Sequence, residues 1–75
     1  EFDILEALPS PEEYADLVKA VGWGAREQDV VEEALPNSLY GVCARVGSAI
    51  VGMARIVGDG GLVYYVQDVV VRPEY

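Results

Sequence analysis

Histidine is absent from this sequence, cysteine occurs once, and only five residues are basic against thirteen acidic. Without histidine the chain has neither the commonest metal ligand nor the commonest general base near neutral pH, and no metal site is expected. With Cys43 alone, no intrachain disulfide can form, and a reducing, cytoplasmic setting is expected. The net charge of −8 argues against nucleic-acid binding, which needs clustered Lys and Arg facing phosphates. Lys19, Arg26, Arg45, Arg55 and Arg72 are instead scattered along the chain. Taken alone, the acidity is better read as an aid to solubility than as an attraction for a cationic amine. No stretch reads as a signal peptide or a membrane span, so no membrane partner is expected. The opening Glu1-Phe2, with no initiator Met, suggests a processed or engineered start.

The 75 residues allow a single domain, 1–75, close to the size at which one core is only marginally stable. A hydrophobic content of 52% is too high for disorder. Phe2, Ile4 and Leu5 form a short extended segment. Ser10-Pro11-Glu12-Glu13 then supplies a helix start: Ser10 caps, Pro11 suits the first helical position, and Glu13 completes a capping box. Tyr14, Leu17, Val18 and Val21 repeat at helical spacing, and Gly22 is a C-terminal stop. After the loop Gly22-Trp23-Gly24-Ala25, a second helix is predicted from about Arg26 to Leu35, with Val30, Val31, Ala34 and Leu35 on its apolar side.

The period then changes. Leu39 to Val46 and Ala49 to Val57 read as strands joined by a Gly47-Ser48 hairpin, and Gly58-Asp59-Gly60-Gly61 as a looser turn. Val63 to Val71 is nearly continuous in strand formers, and a strand apolar on both sides needs cover on both faces. The helices cover one face; nothing in the sequence covers the other. The expectation is an α/β fold of the α+β type, a mostly antiparallel sheet with two N-terminal helices, incomplete at its C-terminus.

The order strand, helix, helix, three antiparallel strands, closing on Asp68-Val69-Val70-Val71-Arg72-Pro73-Glu74-Tyr75, resembles the GNAT superfamily of N-acetyltransferases. In that family a V-x-P-E-Y-like segment leads into a Q/R-x-x-G-x-G/A loop that binds the acetyl-CoA pyrophosphate. Val71, Pro73, Glu74 and Tyr75 match the approach to that loop, and the sequence ends where it would begin. The Val21-Gly22-Trp23-Gly24 loop and the Ile50-Val51-Gly52-Met53-Ala54-Arg55 strand also fit the resemblance, which covers the whole chain as the family's N-terminal half.

The resemblance implies transfer of acetyl from acetyl-CoA to a small-molecule or peptide amine by direct attack, a reaction that needs orientation and oxyanion donors more than a histidine. It implies that backbone groups of Val69 and Val71 pair with the pantetheine arm; Trp23 and Arg26 are candidates for contact with the acceptor, although a loop Trp more usually anchors its loop onto the fold. Asp68, among Val66, Val69 and Val70, is a catalytic candidate as a desolvated proton acceptor. A structural role, accepting hydrogen bonds from a neighbouring strand or loop, is preferred for it. Strand alternation places Asp68 opposite both Gln67 and Val69. Tyr65 is a second catalytic candidate, and Cys43 reads as a small buried hydrophobe. Gly58-Asp59-Gly60-Gly61 is no phosphate site, since it joins two strands and its Asp repels phosphate. Alone, the chain is expected to be inactive. The alternatives are a non-catalytic module that homodimerises or pairs through its exposed last strand, and a small α+β binding domain unrelated to acyl transfer.

Overall fold

The structure, a computed structural model, describes residues 2–24 and 26–75; the expectations for Glu1 and Ala25 lie outside the described residues. Helix α1 (Pro11–Ala20) begins as its residues require. Ser10 Oγ accepts from the Glu13 N–H at 3.1 Å, and Glu13 Oε1 accepts from the Ser10 N–H at 2.9 Å. Its C-terminus closes through Gly22, whose φ of 82° is open to glycine at no steric cost. The Gly22 N–H donates to Lys19 and the Trp23 N–H to Val18, a Schellman closure that fixes where Trp23 leaves the helix.

Helix α2 (Gln28–Ala34) is shorter than its sequence suggests and continues as a 3-10 turn, Leu35–Asn37, at Pro36. Only Val31 and Leu35 of its four apolar residues are buried, at i and i+4, whereas Val30 is exposed. A seven-residue helix packed on one neighbour buries a narrow stripe, and Val30 lies a 100° step off it.

Four antiparallel strands, β1 (Asp3–Leu5), β2 (Tyr40–Val46), β3 (Ala49–Gly58) and β4 (Tyr64–Val71), form a sheet in the order β1-β2-β3-β4. Residues that face each other across strands share a side of the sheet. Leu5, Cys43, Met53 and Val70 are one such row, on the helix side; Ile4, Ala44, Gly52 and Val71 are the next, on the far side. Tyr14, Leu17 and Val18 of α1 pack onto Cys43, Ile50, Met53 and Val70, with Val31 and Leu35 closing the core.

No described helix covers the far side. Ile4, Val66, Val69 and Val71 are more than half exposed there, and β4 is an edge strand. Truncating Leu17, which is fully buried, is expected to cost ~3 kcal/mol, most of the stability of so small a domain. Val66→Ala on the exposed side is expected to change stability by less than ~0.5 kcal/mol. Urea titration of both variants followed by circular dichroism checks the contrast.

Candidate functional site

β4 is not a regular strand. Met53 faces Val70 and Arg55 faces Gln67, so Ala54 on β3 is matched by two residues, Asp68 and Val69, on β4. This is a β-bulge, and Asp68 makes it by adopting φ of 58°, the only positive φ among the described non-glycine residues. The extra residue shifts the side-chain phase. Gln67, paired with Arg55, lies on the same side as Asp68, which corrects the simple alternation read from the sequence; Asp68 and Val69 do point apart.

Asp68 is buried, 8% exposed, and one oxygen of its carboxylate is held by two donors. Oδ2 accepts from Arg55 Nε at 2.7 Å and from the Tyr14 hydroxyl at 3.2 Å. Arg55 in turn donates through Nη1 to Ser38 Oγ at 2.9 Å. One carboxylate thus ties β4 to β3, to α1 and to the turn before β2. These contacts of Oδ2 with Arg55 and Tyr14 fit the structural role preferred for Asp68 from its sequence. Sequence reasoning missed Arg55, Tyr14 and Ser38. The available signal was that Arg55 and Asp68 are lone charges inside two otherwise apolar strands, and buried charges pair.

Beyond the bulge, the Arg72 N–H donates to Val51 at 2.8 Å and Arg72 Nε to Ile50 at 3.2 Å, which secures the end of β4 against β3. Successive residues of an antiparallel strand turn their N–H and C=O to alternate edges, so with Arg72 bonded inward Val71 turns its own outward. Val69 lies beside it within the bulge. Both side chains are exposed, at 59% for Val69 and 51% for Val71.

The other candidates sit apart from this network. Tyr65 is exposed on β4 and makes no side-chain hydrogen bond among the described residues. Trp23 and Arg26 are brought together, with Arg26 Nη1 donating to the Trp23 carbonyl at 3.1 Å. Cys43 is buried and its Sγ donates to the Ala7 carbonyl at 3.2 Å. Burial, and secondly the Glu13 charge, push its thiol above the usual cysteine range. In the Gly58-Asp59-Gly60-Gly61 turn, Asp59 Oδ1 accepts from the N–H groups of Gly61, Leu62 and Val63 at 2.8–3.0 Å. Those are the donors a phosphate would need, and the turn's own aspartate occupies them.

A four-stranded antiparallel sheet with two N-terminal helices is an α+β fold that this chain shares with solved acetyltransferase structures, one of them of the GNAT family. In particular, the whole chain superposes on a probable acetyltransferase of meticillin-resistant Staphylococcus aureus with TM-score 0.93 and 29% identity, covering 56% of that chain. It likewise superposes on a GNAT-family acetyltransferase from Streptococcus pneumoniae with TM-score 0.83 and 37% identity, covering 55%. The chain therefore spans about half the length of the solved structures it matches. No family model and no curated protein matches the sequence. No described helix is long and apolar enough to cross a membrane.

The N–H of Val63, then those of Gly61 and Leu62, hold the Asp59 carboxyl below the usual carboxylate range. A group whose folded pKa is depressed stabilises the fold above its unfolded value, and the contribution is lost as pH falls through the folded value. Amide exchange at Gly61, Leu62 and Val63 should therefore lose protection on acidification below about pH 4, and Asp59→Asn should remove that pH dependence. Cys43, being buried with a raised pKa, should react with a thiol reagent at least about a hundredfold slower in the native protein than in urea.

Proposed function

We propose that this chain is the N-terminal half, residues 1–75, of an acetyl-CoA-dependent N-acetyltransferase. The observation that carries the reading is the outer edge of β4. With Arg72 bonded inward, the N–H and C=O of Val71, just past a bulge, turn to the outer edge and offer an extended ligand the hydrogen bonds of one more strand. The pantetheine arm of acetyl-CoA, a chain of amides, has matching donors and acceptors. In this reading Val69 and Val71 hold that arm through their backbone groups, and their valine side chains serve only to keep the strand extended.

The chemistry asks little of side chains. A neutral amine attacks the thioester carbonyl, the carbon–sulfur bond breaks as the tetrahedral intermediate collapses, and the amine proton leaves while the CoA thiolate is protonated. An N–H aimed at the carbonyl oxygen stabilises the charge that develops there. Tyr65 is the remaining candidate on β4 for handling a proton, its hydroxyl having no partner within the described chain. Trp23 and Arg26 offer an aromatic face and a fixed guanidinium at the end of α1, where the acceptor amine is placed in this reading. A cytoplasmic setting agrees with a lone, reduced, buried Cys43.

The second reading, a non-catalytic module, is favoured by the same edge. Tyr64, Tyr65, Val66, Val69 and Val71 are all exposed, enough apolar surface on one strand to seat another copy or a complementary fragment.

Two measurements separate the readings. A polypeptide continuing beyond Tyr75 should release free CoA from acetyl-CoA in the presence of an amine panel, whereas the 75-residue chain alone should bind acetyl-CoA with a Kd weaker than about 1 mM by calorimetry. Light scattering should find the isolated chain self-associated; a strict, well-folded monomer would remove support for pairing through β4.

A further inference from the structure

A left-handed conformation at a non-glycine residue is unfavourable, and it persists where surrounding contacts over-determine it. Asp68 is such a residue. Aspartate tolerates the conformation better than most side chains by bonding locally, yet among the described residues its carboxylate makes no local bond. Its partners, Arg55 and Tyr14, are 13 and 54 positions away in sequence. The contacts that keep the bulge are therefore tertiary.

The consequence reaches the outer edge. Without the extra residue, Gln67 and Val70 could not face Arg55 and Met53 at once, and every residue on one side of the bulge would change both its face and the edge to which its amide points. We propose that Arg55 is a positioning residue: it holds Asp68 in the conformation that makes the bulge, and so sets which backbone groups of β4 face outward to meet the cofactor. The last clause rests on the acetyl-CoA reading above; the first does not. Arg55 suits the task better than lysine. Its guanidinium is fixed at two ends, Nε on Asp68 and Nη1 on Ser38, so it fixes a direction as well as a charge. Arg55 is also the β3 residue that faces Gln67, at the first regular pair on the other side of the bulge.

The test is a rescue. In the isotopically labelled 75-residue chain, the carbon shifts and amide coupling at position 68, with cross-strand contacts 53–70 and 55–67, report whether the bulge is present. Arg55→Met leaves a buried carboxylate unpaired and should lose these signatures. Adding Asp68→Gly should restore them, because glycine takes the conformation unaided and leaves no charge; adding Asp68→Ala should not. If Arg55→Met fails to fold, Tyr14→Phe, which removes one of the two donors to Oδ2, should weaken the same signatures in a folded chain. A bulge that survives Arg55→Met, or that Asp68→Ala restores as well as Asp68→Gly, would overturn the proposal.

In the longer polypeptide, Arg55→Met should raise KM for acetyl-CoA by about tenfold while kcat moves less than about threefold, and Asp68→Gly should recover most of the loss. A fall confined to kcat would contradict the positioning role. If no variant, wild type included, turns over acetyl-CoA, the functional reading fails, and the bulge signatures still decide the role of Arg55.

Discussion

The contact between Arg55 and Asp68, 2.7 Å long and closed off by Tyr14 and Ser38, is where the halves of this small fold are joined. It links the middle of β3 to the bulge of β4, and through Tyr14 it reaches the first turn of α1. Its net contribution to stability is small, since removing two charges from water offsets much of their attraction; losing one partner alone costs ~3–5 kcal/mol. The left-handed turn at Asp68 is unfavourable by ~1–2 kcal/mol. The penalty for breaking the pair is thus larger than the strain it restrains, which is why the bulge holds.

From that point the rest of the site follows. The bulge turns Asp68 and Val70 toward the helices, where Val70 completes the core beside Met53, and leaves Val69 and Val71 on the uncovered side. Arg72 then ties the strand's end back to Ile50 and Val51, and pairs with Asp16 of α1 at 3.7 Å. Among the described residues, the strand is held on one edge and free on the other. That asymmetry, more than any reactive side chain, carries the proposed site.

Local signals in the sequence carried most of the fold. The Ser10–Glu13 box, the Tyr14–Val21 stripe, the Gly22 stop and the Gly47-Ser48 hairpin each rest on contacts between near neighbours, which spacing alone reveals. Val30 was misplaced because a short helix leaves no room for a wide apolar face. The bulge was not legible, since it depends on Arg55 meeting Asp68 across two strands and on a backbone angle that no residue type announces. With the bulge missed, strict alternation put Gln67 on the wrong side of Asp68. The turn at Gly58-Asp59-Gly60-Gly61 was readable as a link between two strands, whereas the bonds from Gly61, Leu62 and Val63 to the Asp59 carboxylate were not anticipated.

The central claim is that the outer edge of β4 just past the bulge seats acetyl-CoA. Its most direct measurement is a map of backbone amide shifts on titrating acetyl-CoA into the labelled polypeptide that extends past Tyr75. The account predicts that, within these 75 residues, the largest changes fall on Val69 to Val71, with little change at Asp59 to Val63. Changes centred on the Asp59 turn, or none along β4 under conditions of saturating binding, would contradict it.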